Sequence, residues 1–169
     1  MRKKKLIKKS LKKMKKKSKK KTKSNSKQED LAVIRLRGSI DLNSSVKDTL
    51  KSINLYKKNS CVVITSNPDS VGKLKRVKDY VTWGEIDKDT YDMLVEKRGE
   101  EYKRRLADSK EKINYNKFIE IKNKKYKKYF RLHPPIGGFR KKGIKVSYKK
   151  GGATGYRGKE INSLIKKMI

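Results

Sequence analysis

The chain has 169 residues, of which 51 are lysine or arginine and 17 are aspartate or glutamate, giving a formal net charge of +34. Such a chain repels itself, so we expect a polyanionic partner; nucleic acid fits better than an anionic membrane surface, because neutralising phosphates releases condensed counterions. The sequence contains no apolar run of spanning length and no secretion-type leader, and its single cysteine, Cys61, excludes an intramolecular disulfide. We therefore expect a reduced, cytoplasmic protein.

The charge is concentrated at the two ends. Residues 1–30 hold 16 basic and 2 acidic residues, residues 31–121 hold 19 and 14, and residues 122–169 hold 16 and 1. This predicts a lysine-rich N-terminal arm (1–30), a globular core (31–99) and a basic extension (100–169). The arm lacks the apolar content to fold alone. It is either a solvated tail or a segment that orders on RNA, and its lysines also fit a nuclear or nucleolar targeting signal.

The core begins with a predicted strand, Leu31 to Gly38. Its alternation places one apolar set on one face, and Leu31 and Val33 with Arg35 and Arg37 on the other. A helix follows, capped by Asn43, Ser44 or Ser45, with Val46, Leu50 and Ile53 on one face.

The remaining core elements follow the same logic. We predict strands at Ser60–Ser66 and Val81–Ile86, a helix capped by Asp69 between them, and a last helix, Lys88 to Arg98, capped by Asp87 and stopped by Gly99. The predicted fold class is α/β, an α+β two-layer arrangement: a β-α-β-α-β core whose small antiparallel sheet carries two helices on one face. Arg35 and Arg37 then lie on the other face, where we expect at least one of them to contact phosphate.

The segment 100–129 is harder to assign. Residues 100–113 are typical of a helix, and residues 115–121 of either a strand or the start of a helix, so we predict only a small α/β extension. The final helix, Lys159 to Ile169, places Ile161, Leu164, Ile165 and Met168 on one face, which predicts docking on the core.

Residues 122–158 scatter aromatic side chains among lysines, arginines and glycines. Lysine neutralises phosphate, arginine bonds it bidentately and stacks, and aromatic rings stack on unpaired bases, so this composition favours a loop moulded to RNA. The only histidine, His133, has no metal-ligand spacing around it. The glycines match neither a P-loop nor a dinucleotide fingerprint, because Ala153 stands where the first P-loop glycine is needed. We expect no catalytic site, cofactor or metal.

Four segments carry a family resemblance: AVIRLRG, VKDYVTWGEID, FRLHPP and GGATGYRGKEINSLIKKM. In this order they closely resemble the universal L-thirty family of large-subunit ribosomal proteins, L-seven in eukaryotic naming, of the archaeal and eukaryotic type. The resemblance covers about residues 31–169. It implies a β-α-β-α-β core with the first strand central, and binding to large-subunit rRNA near the 5S rRNA.

We accordingly predict a structural, non-enzymatic constituent of the large ribosomal subunit. Its expected partners are large-subunit rRNA, with 5S rRNA as a further candidate, and neighbouring ribosomal proteins, and not a membrane or a small-molecule substrate. Nucleolar transit during assembly is expected only in a eukaryotic source, and the alternative function is a free RNA-annealing chaperone. The predicted rRNA-binding residues are Arg35, Arg37, Lys73, Arg76, Arg131, His133, Phe139, Arg140, Lys141, Lys142, Lys145, Tyr148, Tyr156 and Arg157.

Overall fold

The structure is a computed structural model that describes residues 29–103, 105–106, 112–113, 118–121 and 123–169. The predictions made for residues 1–28, that is, nearly all of the basic arm, lie outside the described residues. The described part forms four α-helices and seven strands. The helices are α1 (Ser44–Ser52), α2 (Pro68–Arg76), α3 (Lys88–Arg98) and α4 (Ile161–Met168). The strands are β1 (Asp30–Arg35), β2 (Ser60–Thr65), β3 (Val81–Glu85), β4 (Phe118–Ile121), β5 (Lys124–Lys127), β6 (Phe130–Arg131) and β7 (Gly155–Tyr156).

The main sheet has five strands in the order β6-β2-β1-β3-β7. Strand β1 lies at its centre and pairs antiparallel with β2 and β3, as the resemblance implied. The C-terminal half adds the two edges: β6 pairs antiparallel with β2, and β7 pairs parallel with β3. The α/β class and the β-α-β-α-β order are confirmed, but the sheet is mixed rather than wholly antiparallel. Strands β4 and β5 form a separate two-stranded sheet.

Helices cover both faces of the main sheet. On one face Leu31 and Val33 pack with Leu50 of α1 and Leu74 of α2. The opposite face packs against α3 and α4, and its buried set includes Ala32, Ile34, Leu94, Ile161, Leu164, Ile165 and Met168. The predicted pair of helices on one face is confirmed as α1 and α2, but Arg35 lies on their side of the sheet and not on the opposite face as expected. A strand that alternates two apolar sets must bury both of them, and the C-terminal helix supplies the second cover.

Local signals placed most helix ends correctly. The Asn43 side chain accepts a hydrogen bond from the Ser45 N–H (3.2 Å) and caps α1, and α3 spans the predicted residues between Asp87 and Gly99. The predicted Asp69 cap is wrong, because α2 starts at Pro68 and the Asp69 carboxylate instead pairs with Lys73 at 2.8 Å. A helix over residues 100–113 is also not seen in its described part. Glu101 instead forms a bridge to Tyr126, beside β5.

The C-terminal loop, residues 132–154 between β6 and β7, is tied to the body of the protein by its backbone. The His133 and Ile136 N–H groups donate to the Met168 and Lys167 carbonyls at the end of α4 (2.9 and 3.0 Å). The far end returns alongside the core because Gly152 packs its backbone against Val146, where a Cβ atom would lie 2.0 Å from the carbonyl oxygen. The basic segment thus has a fixed position relative to the sheet.

Candidate nucleic-acid interface

Arg35 is the predicted binding residue whose surroundings differ most from expectation. Its side chain is 3% exposed, and its guanidinium donates to the carbonyls of Leu55 and Tyr56 (both 2.8 Å). Three further bonds go to the Arg37 and Gly38 carbonyls and to the Ser39 hydroxyl. Burial lowers the pKa of this group. The expectation of an open sheet face around Arg35 is wrong, and its donors are already occupied by the protein.

Arg37, two residues further on, is only partly buried. Its guanidinium carbon lies 4.7 Å from the ring centroid of Tyr80, and it donates one long hydrogen bond to the Asp79 carbonyl (3.4 Å). An arginine that rests on an aromatic face keeps its outer N–H donors free for an anion. The geometry therefore leaves Arg37 available for a phosphate.

Tyr148 organises the cations of the C-terminal loop. The guanidinium carbons of Arg140 and Arg157 lie 4.1 and 4.5 Å from its ring centroid. Glu160 accepts hydrogen bonds from the Tyr148 hydroxyl and from Arg140 (3.2 Å), so one carboxylate offsets part of the charge. Desolvation and the nearby Arg140 lower the pKa of Arg157 to about 10, which still leaves it charged at neutral pH. The Arg157 guanidinium also donates to the Ala153 carbonyl (3.1 Å) and the Thr82 hydroxyl (3.4 Å). The arrangement thus holds two guanidinium groups against one ring, where their remaining donors can bond an anionic backbone.

Tyr156 lies at the β7 edge of the sheet. It stands opposite Trp83 in the β3–β7 pairing, and their ring centroids are 6.4 Å apart. Its hydroxyl donates to the Glu85 carboxylate at 2.6 Å, and this bond raises the pKa of Tyr156. The ring remains 47% exposed. An exposed aromatic on a paired strand has the geometry required for stacking on a base.

The other predicted residues lie in four different places. Lys141, Lys142 and Lys145 are exposed on the C-terminal loop, and His133 is exposed at its start. Lys73 and Arg76 are exposed on α2, where both line a shallow groove with the α1 cap Asn43 and with Ser44 and Ser45 of α1. Phe139 is half-buried against the α3–α4 side of the core, so its ring is partly committed to packing. Arg131 is exposed on the edge strand β6, 3.5 Å from Glu100.

The structure brings together one basic-aromatic group that was not predicted from the sequence. Residues 56–58 (Tyr-Lys-Lys) and 127–129 (Lys-Lys-Tyr) line the same cleft, although they are far apart in the chain. The sequence signal for this group is that each of the two segments contains one tyrosine beside two lysines. Without the β2–β6 pairing nothing in the sequence indicates that the two groups face one another.

Among the described residues, no group of three or more His, Cys, Asp or Glu side chains is arranged to hold a metal ion. None of the described helices is long and apolar enough to span a bilayer. Cys61 is fully buried, and burial raises the pKa of its thiol to about 12.

Comparison with known proteins finds similarity to a single family of ribosomal proteins. Residues 31–81 match the family model described as ribosomal protein L30p/L7e. The chain is 43% identical over 152 residues to the large ribosomal subunit protein uL30 of Methanococcus maripaludis, covering 82% of this chain and 98% of the relative. The corresponding protein of Methanopyrus kandleri is 40% identical over 149 residues, which cover 79% of this chain and 100% of the relative. That of Nanoarchaeum equitans is 39% identical over 152 residues, with 82% and 97% covered.

Proposed function

Because the chain belongs to the ribosomal protein L30p/L7e family, it is a ribosomal protein of the large subunit, and we propose that it holds large-subunit rRNA through two basic surfaces on a rigid core. The observation that carries the proposal is the fixed cluster of Arg140, Tyr148 and Arg157 beside the exposed lysines of the C-terminal loop. Guanidinium groups held in place lose little entropy when they bond phosphate. The loop then serves as the main rRNA contact.

The second surface is formed by Arg37 with Lys73 and Arg76 of α2. Arg37 is partly exposed, Lys73 and Arg76 are exposed, and Lys73 also pairs with Asp69 at 2.8 Å. Phosphate contacts set the position of a protein on RNA without reading sequence. Two separated contact surfaces on one rigid body fix the relative arrangement of the RNA segments they touch, which is a structural rather than an enzymatic role.

Several finer features belong to the same proposal. The division into an arm (1–30), a core (31–99) and an extension (100–169) describes which parts anchor and which reach into RNA. We extend the rRNA contact to the neighbourhood of 5S rRNA on the strength of the family resemblance alone. The proposed location is the cytoplasmic ribosome. A nucleolar step applies only to a eukaryotic source, and the relatives named above are archaeal.

The test is retention on large subunits in a sucrose gradient of rising salt. We expect one copy per large subunit, and we expect the triple variant Lys141→Gln, Lys142→Gln, Lys145→Gln to be released at lower salt. For binding to rRNA fragments, removing a lysine that neutralises one phosphate should reduce the slope of log affinity against log salt by roughly 0.7–0.9. The matched control neutralises three exposed helix lysines, Lys47, Lys88 and Lys97.

Two results would contradict the proposal. Release of the unaltered protein into the top fractions at moderate salt would favour the free RNA-annealing chaperone. Equal release of the loop variant and the helix-lysine control would show that net charge, rather than the placement of the C-terminal loop, determines binding.

A further inference from the structure

A cleft of about 570 Å³ lies beside the edge of the sheet where β6 pairs with β2. Tyr56, Lys57 and Lys58 line it from the α1–β2 connection, and Lys128, Tyr129 and Arg131 line it from the β5–β6 segment. We call it the tyrosine cleft. Its volume falls within the range of roughly 300–1,000 Å³ typical of small-ligand sites, and it combines aromatic rings with cations.

The first wall of the tyrosine cleft is held rigid from behind. The buried guanidinium of Arg35 binds the carbonyls of Leu55 and Tyr56, and the Asn59 N–H donates to the Arg35 carbonyl at 2.7 Å. The turn adopts left-handed backbone at Asn54 and Asn59 (φ 62° and 59°), which asparagine tolerates better than other side chains. The Tyr56 side chain is nevertheless 54% exposed. An exposed ring on an anchored backbone can stack on a ligand with little further loss of entropy.

The second wall is joined to the first through the backbone, because the Leu132 N–H donates to the Asn59 carbonyl at 2.9 Å. Lys127 Nζ and the Arg131 guanidinium carbon each lie 5.9 Å from the ring centroid of Tyr129. Glu100 engages these same two cations, Lys127 at 2.5 Å and Arg131 at 3.5 Å, and the hydrogen bond from Lys127 lowers the pKa of Glu100. The second wall therefore has an ordered arrangement of charge.

The remaining lysines of the cleft keep their charge available. Among the described residues, no carboxylate lies within 4.0 Å of the ammonium groups of Lys57, Lys58 or Lys128. The Tyr56 ring is exposed, whereas the Tyr129 ring is partly buried because it also packs against the core. Accessible aromatic surface beside lysines without a carboxylate partner is the combination that binds single-stranded nucleic acid, in which bases stack and phosphates are neutralised. A carboxylate ligand would use the cations but not the rings, and an apolar peptide would use the rings but not the cations.

We propose that the tyrosine cleft receives one unstacked nucleotide of the RNA, with its base against Tyr56 and Tyr129 and its phosphates at Lys57, Lys58 and Lys128. The inference rests on the proposed function, since it names the element of RNA that this part of the surface recognises. Stacking on a ring accepts any base, so we expect the site to select an unpaired nucleotide rather than a sequence.

The experiment compares two RNA hairpins that differ only in one bulged nucleotide, with the full chain as binder. We expect the unaltered protein to bind the bulged hairpin roughly 5- to 100-fold more tightly, as one stacked base provides. Tyr56→Ala should abolish that preference while leaving affinity for the uninterrupted hairpin unchanged, because the Tyr56 carbonyl can still accept from Arg35. Tyr56→Phe, which retains the ring, should keep the preference. Ile40→Ala, an exposed apolar truncation elsewhere, is the matched control.

Each of the other possible binding results contradicts a different part of the proposal. Equal binding of both hairpins, unaffected by Tyr56→Ala, would remove the nucleotide site and leave rRNA binding intact. Failure to bind either hairpin or large subunits would remove the proposed function as well. Saturable binding of adenosine monophosphate alone at micromolar concentration would assign the tyrosine cleft to a free nucleotide instead. Unfolding curves for every variant separate loss of the site from loss of the fold.

Discussion

Replacing Arg35 by methionine separates a structural arginine from one that contacts RNA. Methionine is of similar length and apolar, so the change removes the charge and all five hydrogen bonds without leaving a large void. The Leu55 carbonyl is then without its donor in a buried position, and the Tyr56 carbonyl loses a partly buried hydrogen bond. The control is Arg37→Met, two residues away along the same segment but partly exposed.

The size of the destabilisation caused by Arg35→Met depends on which hydrogen-bond acceptors of Arg35 stay buried without a donor. A buried polar group left without a partner costs about 1–3 kcal/mol, and bonds to a charged donor lie at the upper end. Water can replace the donor at the four acceptors whose bonds to Arg35 are only partly buried, so we count the full penalty only at the Leu55 carbonyl. The expected destabilisation for Arg35→Met is about 2–3 kcal/mol, a large part of the ~5–15 kcal/mol typical of a folded domain. Arg37→Met removes one long hydrogen bond and one cation–π interaction, about 1 kcal/mol or less.

The assay is urea denaturation followed by far-ultraviolet circular dichroism, combined with rRNA-fragment binding at fixed salt. We expect Arg35→Met to lower the free energy of unfolding, and Arg37→Met to weaken RNA binding with an almost unchanged unfolding midpoint. If the two variants unfold within about 0.5 kcal/mol of each other, the reasoning from burial and hydrogen bonding is refuted. Arg35→Lys gives an independent check: it keeps the charge but supplies fewer donors, so it should also destabilise.

Two further predictions concern the core. A Cβ atom on Gly84 would lie 2.0 Å from the Gly158 carbonyl oxygen, so Gly84→Ala should destabilise the protein by more than about 2 kcal/mol. Gly72 lies in open space on α2, so Gly72→Ala should stabilise the protein by about 0.5–1 kcal/mol. Thermal unfolding of both variants distinguishes the two cases. The Cys61 thiol, whose pKa is raised to about 12 from an ordinary 9.0, stays protonated in the folded state while the unfolded state ionises. Stability should therefore fall above pH 9 by at most about 1.4 kcal/mol per pH unit, and a Cys61→Ala variant that shows the same slope would contradict this assignment.

Sequence periodicity was sufficient for most elements of the core. Strands β2 and β3, helix α3 and the start of α1 could be predicted to within one or two residues, because alternation and capping are properties of a few adjacent positions. The four apolar residues of α4 were likewise recognisable from their spacing, and all four are buried. Separated motifs in the correct order were sufficient for the family. The uneven charge distribution, from which we inferred a nucleic-acid partner, is also a property of the sequence alone.

Which elements pack against each other was decided only by the tertiary structure. Alternation correctly placed Arg35 on the same side of β1 as Leu31 and Val33, but that side is closed by α1, α2 and the α1–β2 turn. The arginine that was expected to contact phosphate therefore holds the α1–β2 turn in place through hydrogen bonds to its carbonyls. The tyrosine cleft exists only because β6 pairs with β2 and brings Tyr129 and Tyr56 to the same cleft. Periodicity reports the environment of each residue along its own element. It carries no information about which distant element covers that face, because long-range pairing is determined by the packing of the whole chain.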